Sequence, residues 1–139
     1  MIDGVFHVED PAPNSSASGA FERVKSTVRG QVPPGPWAPG RFHLYAAWNC
    51  PWAHRVLLVR ALCGLEAVIT VAFARPRRTE QGWVYDADGA YADPLFGVAA
   101  VHEAYARVTP AYTGRLTVTL IWDREAGNAV SRESAGLVR

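Results

Sequence analysis

From residue 41 onward, apolar residues fall in short runs separated by polar stretches carrying glycine and proline. Phe42 to Ala47 is an apolar run of strand length. Val56, Leu57, Val59, Leu62 and Cys63 recur at helical spacing, which predicts a helix over 51–62 with Gly64 as its C-cap residue. Val68 to Phe73 is a β-branched run and predicts a second strand. Strand, helix and strand at this spacing make a βαβ unit, whose strands are expected to be parallel with a right-handed crossover. Arg75 to Asp93 is polar and glycine-containing, with Trp83 and Tyr85 as aromatic islands. A loop of that length is often functional. Over 94–108, Leu95, Val98, Val101, His102 and Tyr105 share one stripe and predict a second helix. Thr117 to Trp122 reads as a third strand and Ala129 to Ser131 as a short fourth. Glu133-Ser134 then opens a third helix, although Ser134 stands where a capping box begun at Ser131 would need an acid or glutamine.

Before residue 41 the pattern differs. Pro11-Ala12-Pro13-Asn14-Ser15-Ser16 and Pro33-Pro34-Gly35-Pro36 are dense in breakers, and only Phe21-Glu22-Arg23-Val24 suggests a turn of helix. Residues 1–40 therefore read as a mostly irregular, loosely docked N-terminal extension, and 41–139 as the folded domain. The element order, βαβ then α, ββ, α, is that of the α/β class.

Composition narrows the function classes. A formal net charge of +1 argues against nucleic acid or an anionic membrane as main partner. No apolar run approaches the roughly 18 residues of a membrane span, and Met1 to Asp10 lacks a basic-then-apolar leader pattern. A cytoplasmic protein is expected. Its two cysteines, Cys50 and Cys63, lie about 20 Å apart if both sit on one helix at ~1.5 Å rise per residue, too far to pair. Cys63 is expected to be a buried small hydrophobe.

Cys50 carries the candidate chemistry. It stands at the junction after the first strand and precedes Pro51, which is favoured at the first helical position. Cys50 would then be the N-cap, facing unpaired N–H groups and the positive end of the helix dipole, where a thiolate is favoured. Domains of thioredoxin-like fold keep their reactive sulfur at this place. Cys50-Pro51-Trp52-Ala53 carries no second cysteine where a two-cysteine motif would have its resolving partner, so an external thiol must complete any exchange. His54, one turn on, invites a Cys–His dyad; helix-surface packing is the preferred reading. No histidine or cysteine spacing suggests zinc. Trp83, in its polar loop, is expected to touch a ligand, and Trp52 and Trp122 to be core aromatics. Arg75-Pro76-Arg77-Arg78 reads as a solvated loop.

Arg41-Phe42-His43-Leu44-Tyr45, Cys50-Pro51-Trp52-Ala53-His54-Arg55, Gly64-Leu65-Glu66, Gly82-Trp83, Asp93-Pro94-Leu95-Phe96-Gly97, Tyr112-Thr113-Gly114-Arg115, Trp122-Asp123 and Glu133-Ser134 form an ordered set. It resembles the glutathionyl-hydroquinone reductases, the Xi class of glutathione transferases; Phe21-Glu22-Arg23 also resembles their N-terminal arm. The resemblance implies the thioredoxin-like N-terminal domain of a transferase without its C-terminal helical domain, which in the family lines the acceptor pocket. It implies glutathione as co-substrate, no metal, and glutathionylated quinone-type small molecules as substrates, with a homodimer left open. Cys50 is then the nucleophile that forms a mixed disulfide with glutathione. Trp83 matches the tryptophan lying against glutathione, Val118 the backbone that pairs with its peptide-like part, and Glu133 and Ser134 the pair holding its γ-glutamyl end. The arginine for its carboxylate is left among Arg75, Arg77 and Arg107. The family has a cis-proline after the position of Val118; here Thr119 follows, and the peptide is expected to be trans. Reduced activity is expected for these residues alone. Two rival readings are a glutaredoxin-like deglutathionylating enzyme and a non-catalytic remnant that binds glutathione.

Overall fold

The computed structural model describes residues 1–8, 18–19 and 26–138. The breaker-rich 11–16 and the helix suggested at 21–24 lie outside the described residues. Strand β1 (Phe42–Ala46) leads to helix α1 (Pro51–Leu62), and strand β2 (Ile69–Phe73) follows. After a 3₁₀ turn at Gly89–Tyr91 come α2 (Val101–Val108), β3 (Leu120–Asp123), β4 (Asn128–Ser131) and α3 (Ser134–Leu137). The sheet runs β2-β1-β3-β4. β1 pairs parallel with β2, from Phe42 against Ile69 to Ala46 against Phe73, as the βαβ reading requires. β1 and β3 are antiparallel, as are β3 and β4, with a register shift between Ile121 and Trp122. The mixed α/β, thioredoxin-like fold follows from this order.

β1 is central and all five of its residues are buried. Phe42, Leu44 and Tyr45 pack there with Leu120 and Ile121. Helix α1 covers the sheet through Ala53 and Val56, while Leu58 and Leu62 are exposed, so its apolar residues run around the helix rather than along one stripe. The helix ends in a left-handed turn. Gly64, at φ +65°, donates to Ala61 O, and the Leu65 N–H reaches back to Arg60 O. Cys63 caps this end and is exposed, which corrects the expectation of burial: the chain has already turned away from the sheet by that residue.

The second helix begins seven residues later than its apolar stripe suggests. The Asp93 carboxylate accepts the N–H groups of Leu95 (2.9 Å), Phe96 (3.1 Å) and Val98 (3.2 Å), and Gly97 takes φ +65°. That folds 93–98 into a turn that uses the donors a helix would need. Two stretches ahead of β1 join the core. Met1 and Val28 are buried in it, Gly30 donates to Val130 O, and Arg132 donates to Val28 O beyond β4. Among the described residues no helix is long and apolar enough to cross a membrane.

Candidate functional site

Cys50 sits where β1 gives way to α1. The Cys50 N–H donates to Ala47 O, and the first helical bond runs from His54 N–H to Cys50 O at 2.9 Å. Extended backbone at Cys50 (φ −99°, ψ 111°) and Pro51 at the first helical position give the expected N-cap. The turn is held from outside by Asn49 Nδ2, which donates to Pro76 O, and by Trp48 stacked on Phe73 at 4.0 Å. The thiol does not cap the helix. It is buried and points to the Val118 carbonyl oxygen, 3.7 Å away.

Cys50 and Val118 line a cavity of about 380 Å³ together with Trp83, Trp52, Arg78, Arg115 and Thr117. That volume lies in the range of small-molecule sites. Trp83 is presented by a tight turn in which Thr79 and Gly82 exchange backbone hydrogen bonds, and its carbonyl accepts the Val101 N–H at the head of α2. The Arg78 guanidinium lies over the Trp83 ring, 5.2 Å from its centre. The basic run at 75–78 is exposed, as expected, but its members differ: Arg78 lines the cavity, while Arg75 pairs with Asp86 outside it. Arg77 and Arg107 do not line it either, and Arg107 packs over Phe96.

The Val118–Thr119 peptide is cis, correcting the expected trans bond. The isolated-dipeptide preference is overridden by tertiary packing. Thr119 is buried, its hydroxyl reaches Arg132 O at 3.4 Å, and Val118 turns its carbonyl to Cys50. Trp52 is a second correction: it is 57% exposed, at the cavity mouth with Arg55 over its ring, whereas Trp122 is buried as expected. It lies on the first helical turn, on the side away from Ala53 and the sheet. His54 is exposed, in keeping with a surface role.

Glu133 and Ser134 stand at the start of α3, as N-cap and first residue, and are not among the cavity's lining residues. They are joined to the site through α1, since Arg55 Nε donates to Ser134 Oγ at 3.0 Å. Thus Cys50, Trp83 and Val118 are brought together, with Glu133 and Ser134 one side chain removed. Among the described residues no group of three or more His, Cys, Asp or Glu could hold a metal.

Sequence reasoning missed the buried support beneath the loop. The Tyr45 hydroxyl donates to Asp93 at 3.2 Å, and His43 Nε2 makes a longer 3.4 Å contact with the same carboxylate. Burial pushes the Asp93 carboxyl up, but His43 and the three backbone N–H groups outweigh it and hold it down at about 2. Burial and the neighbouring Asp93 charge push the Tyr45 phenol up, so it stays a donor. An Asp-Pro pair ahead of an apolar stripe was the available signal for this turn. The other omission is the first eight residues. Asp3-Gly4, both at positive φ, close a turn between Ile2 and Val5, and Met1, Phe6, His7 and Val8 line the cavity. An Asp-Gly dipeptide is a known signature of such turns.

No protein-family model matches the chain. Over its whole length it is 38% identical to the glutathionyl-hydroquinone reductase PcpF of Sphingobium chlorophenolicum, covering 45% of that protein. It also matches solved structures. One is an Xi class GST from Natrialba magadii, at 36% identity and TM-score 0.82, covering all of this chain and 42% of that one. Another is the glutathione-bound YqjG of Escherichia coli K-12, at 34% identity and TM-score 0.75, covering all of this chain and 43% of that one. The chain therefore spans less than half the length of the relatives it matches.

Proposed function

We propose, for a chain related over its whole length to glutathionyl-hydroquinone reductases and Xi-class glutathione transferases, glutathione-dependent thiol transfer with Cys50 as nucleophile. The observation that carries this reading is the thiol at a helix N-terminus, facing a cavity with Trp83 and the Val118 backbone. The first step forms a sulfur–sulfur bond between Cys50 and the glutathione sulfur of a glutathionyl-hydroquinone. The carbon–sulfur bond breaks, its electron pair stays on the ring carbon, and a proton completes the hydroquinone. A second glutathione thiolate then attacks the mixed disulfide, giving oxidised glutathione and free Cys50. Glutathione is a co-substrate, and no step requires a metal.

Roles follow from position. Trp83 offers a ring to the tripeptide, and the Val118 backbone is an edge for its peptide groups. Arg78, which lines the cavity and lies over the Trp83 ring, is assigned to a glutathione carboxylate in place of Arg75, Arg77 and Arg107. Glu133 and Ser134 are assigned to the γ-glutamyl end, Ser134 already oriented by Arg55. The relatives extend over twice this length, so slow turnover is expected from these residues alone.

The test is a single-turnover reaction with a glutathionyl-hydroquinone. Release of one hydroquinone per chain, lost in Cys50→Ser, is expected. Equal release from Cys50→Ser would refute the assignment. A small alkyl–glutathione mixed disulfide distinguishes the glutaredoxin-like alternative, which predicts faster reaction with that substrate than with the aryl conjugate.

A further inference from the structure

We infer that the N-terminal arm, residues 1–8, is a wall of the catalytic cavity that contacts the aromatic half of the glutathione conjugate; this rests on the thiol-transfer reading above. Two observations carry it. The arm is pinned at its base. The Met1 ammonium donates to Gly114 O at 3.1 Å, and the Gly114 N–H returns a bond to Met1 O. The Asp3 N–H reaches Thr113 Oγ1 at 2.8 Å and the Gly4 N–H reaches Tyr112 O at 3.1 Å. Gly4 has no room for a side chain, because a Cβ there would stand 1.8 Å from Pro110 O. The seat and the turn are therefore matched to each other.

Beyond the turn, the arm runs into the cavity that holds Cys50. Phe6 lies against His102 with ring centres 4.3 Å apart, and His102 is in turn tied to Gln81 at 3.0 Å, on the turn that carries Trp83. Phe6 and Val8 share the cavity lining with Trp52 and Cys50. Glutathione is a polar, charged tripeptide, and the groups assigned to it are Arg78, Trp83 and the Val118 backbone. Phe6, Val8 and Trp52 belong to the rest of the lining, with Val101 and Leu116, and apolar and aromatic surface beside the nucleophile suits an aryl group bonded to the glutathione sulfur. The arm is thus a specificity element of the domain.

The experiment compares two substrates in single turnover with the full 139-residue chain: a glutathionyl-hydroquinone and a mixed disulfide of glutathione with 2-mercaptoethanol. Phe6→Ala removes the ring. Gly4→Val unseats the arm, and with it Phe6 and Val8, without changing the identity of any lining residue, and circular dichroism checks that the fold is kept. Both variants are expected to slow the aryl substrate about tenfold, the usual scale for losing an apolar contact, and to leave the alkyl disulfide within about twofold. Unchanged aryl rates in both variants, with Cys50 still reactive, would overturn the arm's role alone. So would equal slowing of both substrates, which would mark the arm as merely structural. No reaction of the unmodified chain with either substrate would overturn the thiol-transfer reading and the arm's role together.

Discussion

Replacing Asp93 by alanine tests how the fold holds the candidate site. The carboxylate accepts three backbone N–H groups and the Tyr45 hydroxyl, and it faces His43, which is wholly buried. Asp93→Ala leaves these donors without their acceptor. A buried donor left unpaired costs about 1–3 kcal/mol. The Leu95 and Phe96 donors are only partly buried and recover water, so the fully buried Val98 N–H and the Tyr45 hydroxyl dominate. A loss of about 3–5 kcal/mol results, a large share of the ~5–15 kcal/mol of an ordinary domain. Asp93→Asn retains one acceptor oxygen and is expected to cost about half as much. Urea unfolding followed by circular dichroism measures both. The turn also leads into Val101, whose N–H holds the Trp83 carbonyl, so glutathione affinity should fall even where the protein remains folded. An Asp93→Ala protein within about 0.5 kcal/mol of the parent, the range of ordinary surface changes, would refute the reasoning.

Three further outcomes follow. Asp93 is lower in the folded chain, at about 2, than in the unfolded chain, near 4, so its contribution is complete above pH ~4 and is lost as pH falls toward 2. Acid titration of stability should show about 2 kcal/mol disappearing in that window, and Asp93→Asn should flatten the limb. Arg78→Ala is expected to weaken glutathione binding about tenfold by calorimetry, as loss of a charge-assisted hydrogen bond would, whereas Arg75→Ala should have little effect. Arg41→Met should lower the melting temperature in thermal unfolding, because Arg41 Nη2 lies 2.8 Å from the carboxylate of Asp123, which would be left without its cation.

What could be read from the chain was local. Pro51 after Cys50, and Gly64 after the last helical turn, are punctuation whose physics lies within a few residues, and α1 has the predicted bounds. The parallel pairing of β1 with β2 followed from the length of the crossover alone. Features set by distant partners were not legible. The cis peptide at Thr119 answers to packing around Arg132 and Cys50, over which a dipeptide preference has no control. The stripe from Leu95 was helical in spacing, but Asp93 captured the donors first. Cys63 and Trp52 were apolar residues assigned to the interior by type, and the position of the sheet decided otherwise. Cys50, Trp83 and Val118 share a cavity because three loops meet at one end of the sheet; Arg78 entered it through a turn whose neighbours are polar.

The exposure of Cys63 also shapes the most direct test. Both cysteines are free, so a bare count of thiol adducts mixes the two. The decisive measurement is intact mass of the Cys63→Ser protein after incubation with oxidised glutathione, beside the Cys50→Ser, Cys63→Ser double variant. One glutathionyl group on the single variant, removed by added glutathione and absent from the double variant, is the predicted result. A Cys63→Ser protein that stays unmodified while folded would contradict Cys50 as the glutathione-reactive nucleophile.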